Sequence, residues 1–143
     1  MKYAVLFGRI LFAFIFIMAA PEHFTSETIQ YAAAAGVPFA SIAVPLSGVM
    51  ALLGGLSVAI GYKAKWGALL LFLFLIPVTI MMHNFWAVQD QMMAKIQSAM
   101  FFKNAALAGT ALLISYFGAG PLSVDAWLET RTVSIENKEA LAS

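Results

Sequence analysis

The sequence predicts an all-α integral membrane protein, a bundle of four membrane-spanning helices. Of its 143 residues, 62% are hydrophobic and only 10% are charged, whereas a soluble domain is roughly half apolar and a quarter charged. A chain of this size cannot bury so much apolar surface in its own core. The apolar residues also fall into four runs, each near the roughly 20 residues that a helix needs to cross the hydrocarbon core. Because backbone groups in a bilayer must pair within their own segment, these runs are expected to be helices.

The four predicted spans cover residues 3–20, 37–62, 66–82 and 99–118. They form one membrane domain, 1–125, followed by a polar tail, 126–143, whose end is expected to be mobile. The first run also has features of a cleaved signal peptide, since Lys2 gives it a basic start and small residues close it. Arg9 interrupts the apolar stretch and Pro21 follows the candidate cleavage site, so a retained helix is expected.

The lysines and arginines predict the orientation of the spans. Five of the eight lie before the first span, between the second and third, or after the fourth: Lys2, Lys63, Lys65, Arg131 and Lys138. The other side carries only Lys95, plus Lys103 at the start of the fourth span. The positive-inside rule then places both termini in the cytoplasm, and the connections 21–36 and 83–98 face outward. Residues 27–35 are good helix formers and are followed by Gly36 and Pro38, so a short surface helix is predicted there. Residues 87–98 predict a second surface helix before the fourth span.

Small residues form a stripe on the second span. Ser47, Ala51, Gly55 and Ala59 recur every four positions, which lets another helix approach closely. Packing within the bundle is the favoured interpretation, and a homo-oligomer through this face is the alternative.

Polar side chains collect at the outer ends of the other three spans, where the topology brings them to one membrane depth. They are Glu22 and His23, His83 and Asn84, and Lys103 and Asn104, with Trp86 in the aromatic belt of the interface. A mostly apolar pocket with a few polar groups is typical of a small-molecule site. The alternative is that these side chains are interfacial residues that satisfy one another.

Three ligand chemistries fit this polar set. His23, His83 and Glu22 are candidate ligands for zinc or iron, although no close-spaced ligand motif supports a metal. The two histidines are also candidate axial ligands of a haem, an idea that rests on their pairing alone. Histidine, asparagine and lysine donors beside aromatic rings would also bind the head of a quinone or a similar carbonyl compound.

At the cytoplasmic end, Arg9 is expected to form a structural ion pair with Asp125, because a charge inside a membrane usually finds a partner. The alternative is that its guanidinium only reaches to the membrane surface.

Several function classes are excluded. The chain has no cysteine, which rules out disulfides, thiol catalysis and thiolate metal sites. It has no phosphate loop, dinucleotide fingerprint or serine nucleophile motif. With a net charge of +1 and no basic block, nucleic acid is not an expected partner.

The order and spacing of several short motifs resemble the DoxX family over nearly the whole chain to Asp125. The motifs are Gly8-Arg9, Leu46-Ser47-Gly48-Val49, Gly54-Gly55, Gly61-Tyr62, His83-Asn84-Phe85-Trp86, Lys103-Asn104 and the run from Gly118 to Asp125. The resemblance implies a small four-helix protein of the bacterial inner membrane. Family members are linked to quinol oxidase, to thiosulfate:quinone oxidoreductase and to oxidative-stress complexes, so a quinone-linked redox subunit with partner subunits is expected. The alternative is a non-enzymatic scaffold or assembly factor.

Overall fold

The computed structural model describes residues 1–142, which form six α-helices joined by turns, with no β-strand among them. The helices are α1 (Lys2–Ala19), α2 (Ser26–Ala34), α3 (Ala40–Ile60), α4 (Ala64–Met82), α5 (Gln91–Phe117) and α6 (Val124–Ala142). Two short 3-10 turns, Ala20–Phe24 and Phe85–Ala87, follow α1 and α4. In this part of the chain α1, α3, α4 and α5 are long and apolar enough to cross a membrane. The predicted four-span, all-α fold is therefore confirmed, while the location of the termini stays a prediction.

The predicted surface helix in the first outward connection is present as α2. The side chain of Thr25 caps it, accepting a hydrogen bond from the backbone N–H of Thr28 at 3.3 Å. The helix stops before Gly36, which has a φ of 86°, a backbone conformation that glycine adopts readily. Helix α2 packs against the first half of α3. This position places α2 over the ends of the spans.

The second predicted surface helix is not a separate element, and the fourth span does not begin near residue 99. Helix α5 runs unbroken from Gln91 to Phe117. Its start is set by Asp90, whose carboxylate accepts a hydrogen bond from the N–H of Met93 at 2.8 Å. The polar residues near Lys95 lower the hydropathy of this segment, but they are good helix formers and no proline interrupts them. The helix therefore continues through them.

The polar tail also forms a helix, α6, which begins at Val124 next to the loop that closes α5. Ser123 stabilises its start, because its hydroxyl accepts a hydrogen bond from the N–H of Ala126 at 3.2 Å. The guanidinium of Arg131 lies 5.2 Å from the ring centroid of Trp127, one turn away. These local interactions stabilise the first turns of α6.

The buried core joins the four spans in the order α1, α3, α4, α5. Its members are Phe12, Ala13 and Phe16 from α1, Ala20 from the turn after α1, Ala51 and Val58 from α3, Ala68, Leu71, Phe74 and Leu75 from α4, and Ala111 from α5. Phe16 and Phe74 meet edge to face with ring centroids 6.1 Å apart. Large apolar side chains cover the outside of the spans, as expected of helices that face lipid.

The small residues of α3 are packed inside the chain. A Cβ atom on Gly54 would lie 2.7 Å from Leu71 Cγ, and one on Gly55 would lie 2.9 Å from Ile17 Cγ1. On the facing helix, a Cβ on Gly67 would lie 2.5 Å from Ser57 Cβ. These glycines let α1 and α4 approach α3 closely, which agrees with the favoured interpretation of the stripe. Homo-oligomer formation stays a prediction.

Candidate functional site

A cavity of about 530 Å³ lies at the end of the bundle where His23 and His83 are found, here called the histidine end. It is enclosed by the 3-10 turn after α1, by α2, by the first half of α3 and by the end of α4. Its polar lining residues are Glu22, His23, Thr28, Tyr31, Ser47 and His83. Its apolar lining residues are Ala32, Val37, Pro38, Ala43, Val44, Pro77, Val78, Met81 and Met82. A mostly apolar cavity of this size with a few polar groups suits a small apolar ligand that has a polar head.

His23 is held by the 3-10 turn that extends α1. Its Nδ1 atom lies 3.0 Å from the carbonyl oxygen of Ala19, and its ring centroid lies 5.7 Å from that of Phe74. Since a carbonyl oxygen can only accept, Nδ1 carries the proton in this contact. In the neutral ring this tautomer has its lone pair on Nε2.

His83 is held in the same way from the other side of the cavity. It is the first residue after α4, and its Nδ1 atom lies 2.7 Å from Oε1 of Gln97 on α5. An amide oxygen also only accepts, so Nδ1 is again the donor and the lone pair of the neutral ring is on Nε2. Both histidines thus line the cavity and have Nδ1 in a hydrogen bond within the protein.

The other predicted site residues do not line this cavity. Trp86 is 60% exposed and packs in an aromatic cluster, with its ring centroid 5.2 Å from that of Phe85 and 5.8 Å from that of Phe101. Lys103 is exposed, and its Nζ lies 3.4 Å from Sδ of Met100. Asn104 is buried on α5, and Asn84 is half-buried between α4 and the following turn. Of the predicted set, the cavity brings together Glu22, His23 and His83.

Four residues that line the cavity or bond to its lining were not predicted as site residues from the sequence. Thr28 and Tyr31 enter the cavity from α2, Ser47 enters from α3, and Gln97 orients His83 from α5. A signal for Gln97 was present, because residues 97, 101, 104, 108 and 111 fall on one face of a continuous helix. Placing the helix start near residue 99 removed Gln97 from that face.

No group of three or more histidine, aspartate or glutamate side chains that could hold a metal ion is present within residues 1–142. Glu22 and the two histidines share the cavity wall, but they do not form such a group.

At the opposite end of the bundle, here called the Arg9 end, the arginine is 4% exposed. It donates hydrogen bonds to the carbonyl oxygens of Ala119 and Leu122, the latter at 2.8 Å. Asp125 accepts hydrogen bonds from the backbone N–H groups of Lys63 at 2.7 Å and Ala64 at 3.0 Å, at the start of α4. Arg9 thus holds the loop between α5 and α6 against α1, and Asp125 holds the start of α6 against the start of α4. The direct Arg9–Asp125 ion pair stays a prediction.

Four apolar spans with an apolar-walled cavity at one end define a small integral membrane protein. The family model named DoxX matches residues 4–84, and the chain belongs to the DoxX family. It is 31% identical over 129 residues to Inner membrane protein YqjF of Escherichia coli, a match that covers 89% of this chain and 93% of that protein. It is 26% identical over 123 residues to Inner membrane protein YphA of the same organism, covering 85% and 87% of the two chains.

A shorter match relates the chain to a yeast protein, the ER-derived vesicles protein ERV29 of Saccharomyces cerevisiae. The two are 34% identical over 77 residues, which is 54% of this chain and 24% of the yeast protein. The chain thus corresponds to about a quarter of that relative's length. No solved structure matches the chain.

Proposed function

We propose that this protein is a subunit of a quinone-linked redox complex in the bacterial inner membrane, and that the cavity at the histidine end holds the quinone head group. The observation that carries the proposal is the cavity itself, where Glu22, His23 and His83 line an otherwise apolar space of about 530 Å³. Two relatives named as inner membrane proteins support the location. The family resemblance supports the redox role and the link to oxidative stress.

The tautomer assigned to His23 and His83, with the proton on Nδ1, suits quinol oxidation. A quinol has two hydroxyl groups, and in this proposal each donates a hydrogen bond to the Nε2 atom of one of the two cavity-lining histidines, His23 and His83. Oxidation of one quinol releases two protons and two electrons. The imidazoles accept the protons as general bases, and the exposed carboxylate of Glu22 passes them to water. The electrons go to a redox centre on a partner subunit.

The first test is binding of a short-chain quinone to purified protein. His83→Ala and His23→Ala should each weaken binding roughly tenfold, because a lost hydrogen bond to a ligand costs roughly 0.5–1.5 kcal/mol and the vacated space lowers the fit further. Lys103→Ala is the matched control, since Lys103 lies outside the cavity. If the histidine variants fold normally and bind quinone as well as the wild type, the proposal is wrong.

A scaffold for partner proteins is the second candidate function. It is favoured by α5, in which only Asn104 and Ala111 are buried among the described residues, so that Phe102, Leu113 and Tyr116 remain exposed. Native mass spectrometry of protein taken gently from its own membranes separates the two functions. A bound quinone mass supports the redox subunit, and a ligand-free chain that carries another subunit supports the scaffold.

A further inference from the structure

A second cavity, of about 820 Å³, lies at the Arg9 end and is not explained by quinone binding at the histidine end. The start of α4, the end of α5 and the start of α6 enclose it. Its charged lining residues are Lys63, Lys65, Asp125 and Glu129, and its aromatic lining residues are Tyr62, Trp66 and Phe117. The cavity therefore combines charges of both signs with large apolar rings.

Only some of the charged side chains in this cavity have a partner within the described part of the chain. The carboxylate of Asp125 is occupied by the N–H groups of Lys63 and Ala64. The ammonium of Lys63 lies 5.8 Å from the ring centroid of Tyr62. For Lys65 and Glu129, no hydrogen bond or ion pair of the side chain is found within the described part of the chain. Within the described residues, Lys65 and Glu129 thus offer one cation and one carboxylate to groups of opposite charge on a ligand, and Lys63 offers a second cation that lies over the Tyr62 ring.

The position of the cavity at the ends of the spans favours a ligand with a polar head and an apolar part. Lys63 lies in the turn between two spans and Phe117 is the last residue of a third, so the cavity lies where spans end and lipid head groups begin. Trp66 is 72% exposed and Phe117 is 73% exposed, as aromatic side chains at a membrane interface are. A ligand here would place a polar head between the helix ends and an apolar part against the rings.

We propose that this cavity binds the head group of a zwitterionic phospholipid that carries a primary ammonium group. Lys63 and Lys65 bind the phosphate, and Glu129 accepts hydrogen bonds from the ammonium group. Trp66 and Phe117 contact the first part of the acyl chains. A purely anionic lipid would leave Glu129 facing its negative head group, and a choline head group has no N–H to donate. The cavity is thus matched to phosphatidylethanolamine chemistry.

The test is native mass spectrometry of the full chain in mixed micelles that contain phosphatidylethanolamine, phosphatidylglycerol and phosphatidylcholine with identical acyl chains. The wild type should retain phosphatidylethanolamine most strongly. Lys65→Gln should lower retention of all three lipids roughly two- to fivefold, the range expected of one exposed ion pair. Glu129→Gln should lower retention of phosphatidylethanolamine by a similar factor and leave that of phosphatidylglycerol unchanged or raised.

Lys95→Gln is the matched control, because Lys95 is an exposed lysine outside this cavity, and thermal unfolding checks that each variant is folded. The proposal is overturned if phosphatidylglycerol is retained ahead of phosphatidylethanolamine. It is also overturned if Glu129→Gln leaves the ratio of these two lipids unchanged, or if Lys65→Gln behaves like the control. Retention of inorganic phosphate with none of the three lipids bound would assign the cavity to a free anion and would equally reject a lipid site.

Discussion

The Nδ1 atom of His83 lies 2.7 Å from Oε1 of Gln97, and this contact ties the end of α4 to the second turn of α5. It fixes the orientation of the imidazole and leaves the Nε2 lone pair for a ligand. Gln97 itself is not among the lining residues of the cavity. It therefore acts on the proposed site through His83.

Replacing Gln97 with leucine should weaken quinone binding without removing any group that touches the ligand. The ring of His83 loses its acceptor, and one hydrogen bond is worth roughly 0.5–1.5 kcal/mol, so affinity should fall roughly two- to tenfold. Quinone titration followed by tryptophan fluorescence measures this. Gln91→Leu, at the exposed start of α5, is the control, and equal binding by the two variants would contradict the assigned role.

Gly67→Ala should destabilise the fold. The new Cβ would lie 2.5 Å from Ser57 Cβ and 3.2 Å from the backbone oxygen of Gly54, so α3 and α4 would have to move apart. Overpacking of this kind costs roughly 1–3 kcal/mol. Gly109→Ala is the matched control in another span, because nothing lies within 4 Å of its added Cβ. Thermal unfolding in detergent should show a lower midpoint for Gly67→Ala alone, and similar midpoints for both variants would reject this packing.

Arg9→Met should loosen the loop that joins α5 to α6. The substitution leaves the carbonyl groups of Ala119 and Leu122 without their donor, and hydrogen bonds to a charged group contribute roughly 1.5–3 kcal/mol. Limited proteolysis of the loop and the midpoint of thermal unfolding measure the effect. Lys2→Met, an exposed cation on the same helix, should change neither, and a stable loop in Arg9→Met would show that the bonds contribute little.

Asp125→Ala should destabilise the protein by roughly 1 kcal/mol, the usual cost of losing a side chain that caps a helix start. The physical reason is that Lys63 and Ala64 lose the acceptor of their N–H groups. A double-mutant cycle with Arg9→Met tests the predicted ion pair separately. Additive losses would mean that Arg9 and Asp125 act independently, whereas a coupling energy would support the pair.

The predicted orientation can be tested by labelling, because the chain has no cysteine of its own. Ser134→Cys in α6 should react with an impermeant maleimide only after the cytoplasmic side is opened. Ser26→Cys at the start of α2 should react in intact cells. The reverse pattern would show that both termini face outward, against the positive-inside rule.

The sequence by itself determined the class of protein and the number of spans, because the length of an apolar run is a local property that the bilayer thickness fixes. It also determined α2, because the residues that begin and end this helix, Thr25 and Gly36, lie next to it in the sequence. It did not place the start of α5, because Lys95 and Gln97 lower hydropathy without breaking a helix. Hydropathy measures the fit to lipid, whereas the end of a helix depends on caps such as Asp90.

The composition of the candidate site was decided by the tertiary structure. The sequence predicted that Glu22, His23 and His83 share one membrane depth, because depth follows from position along a span, and in the structure all three line one cavity. The rotation of each helix about its axis depends on packing against its neighbours, through contacts such as Phe16 with Phe74. Because of that rotation, Lys103 does not line the cavity. Tyr31 does line it, because α2 packs over the ends of the spans. No single segment encodes these relationships, since each is a property of two helices in contact.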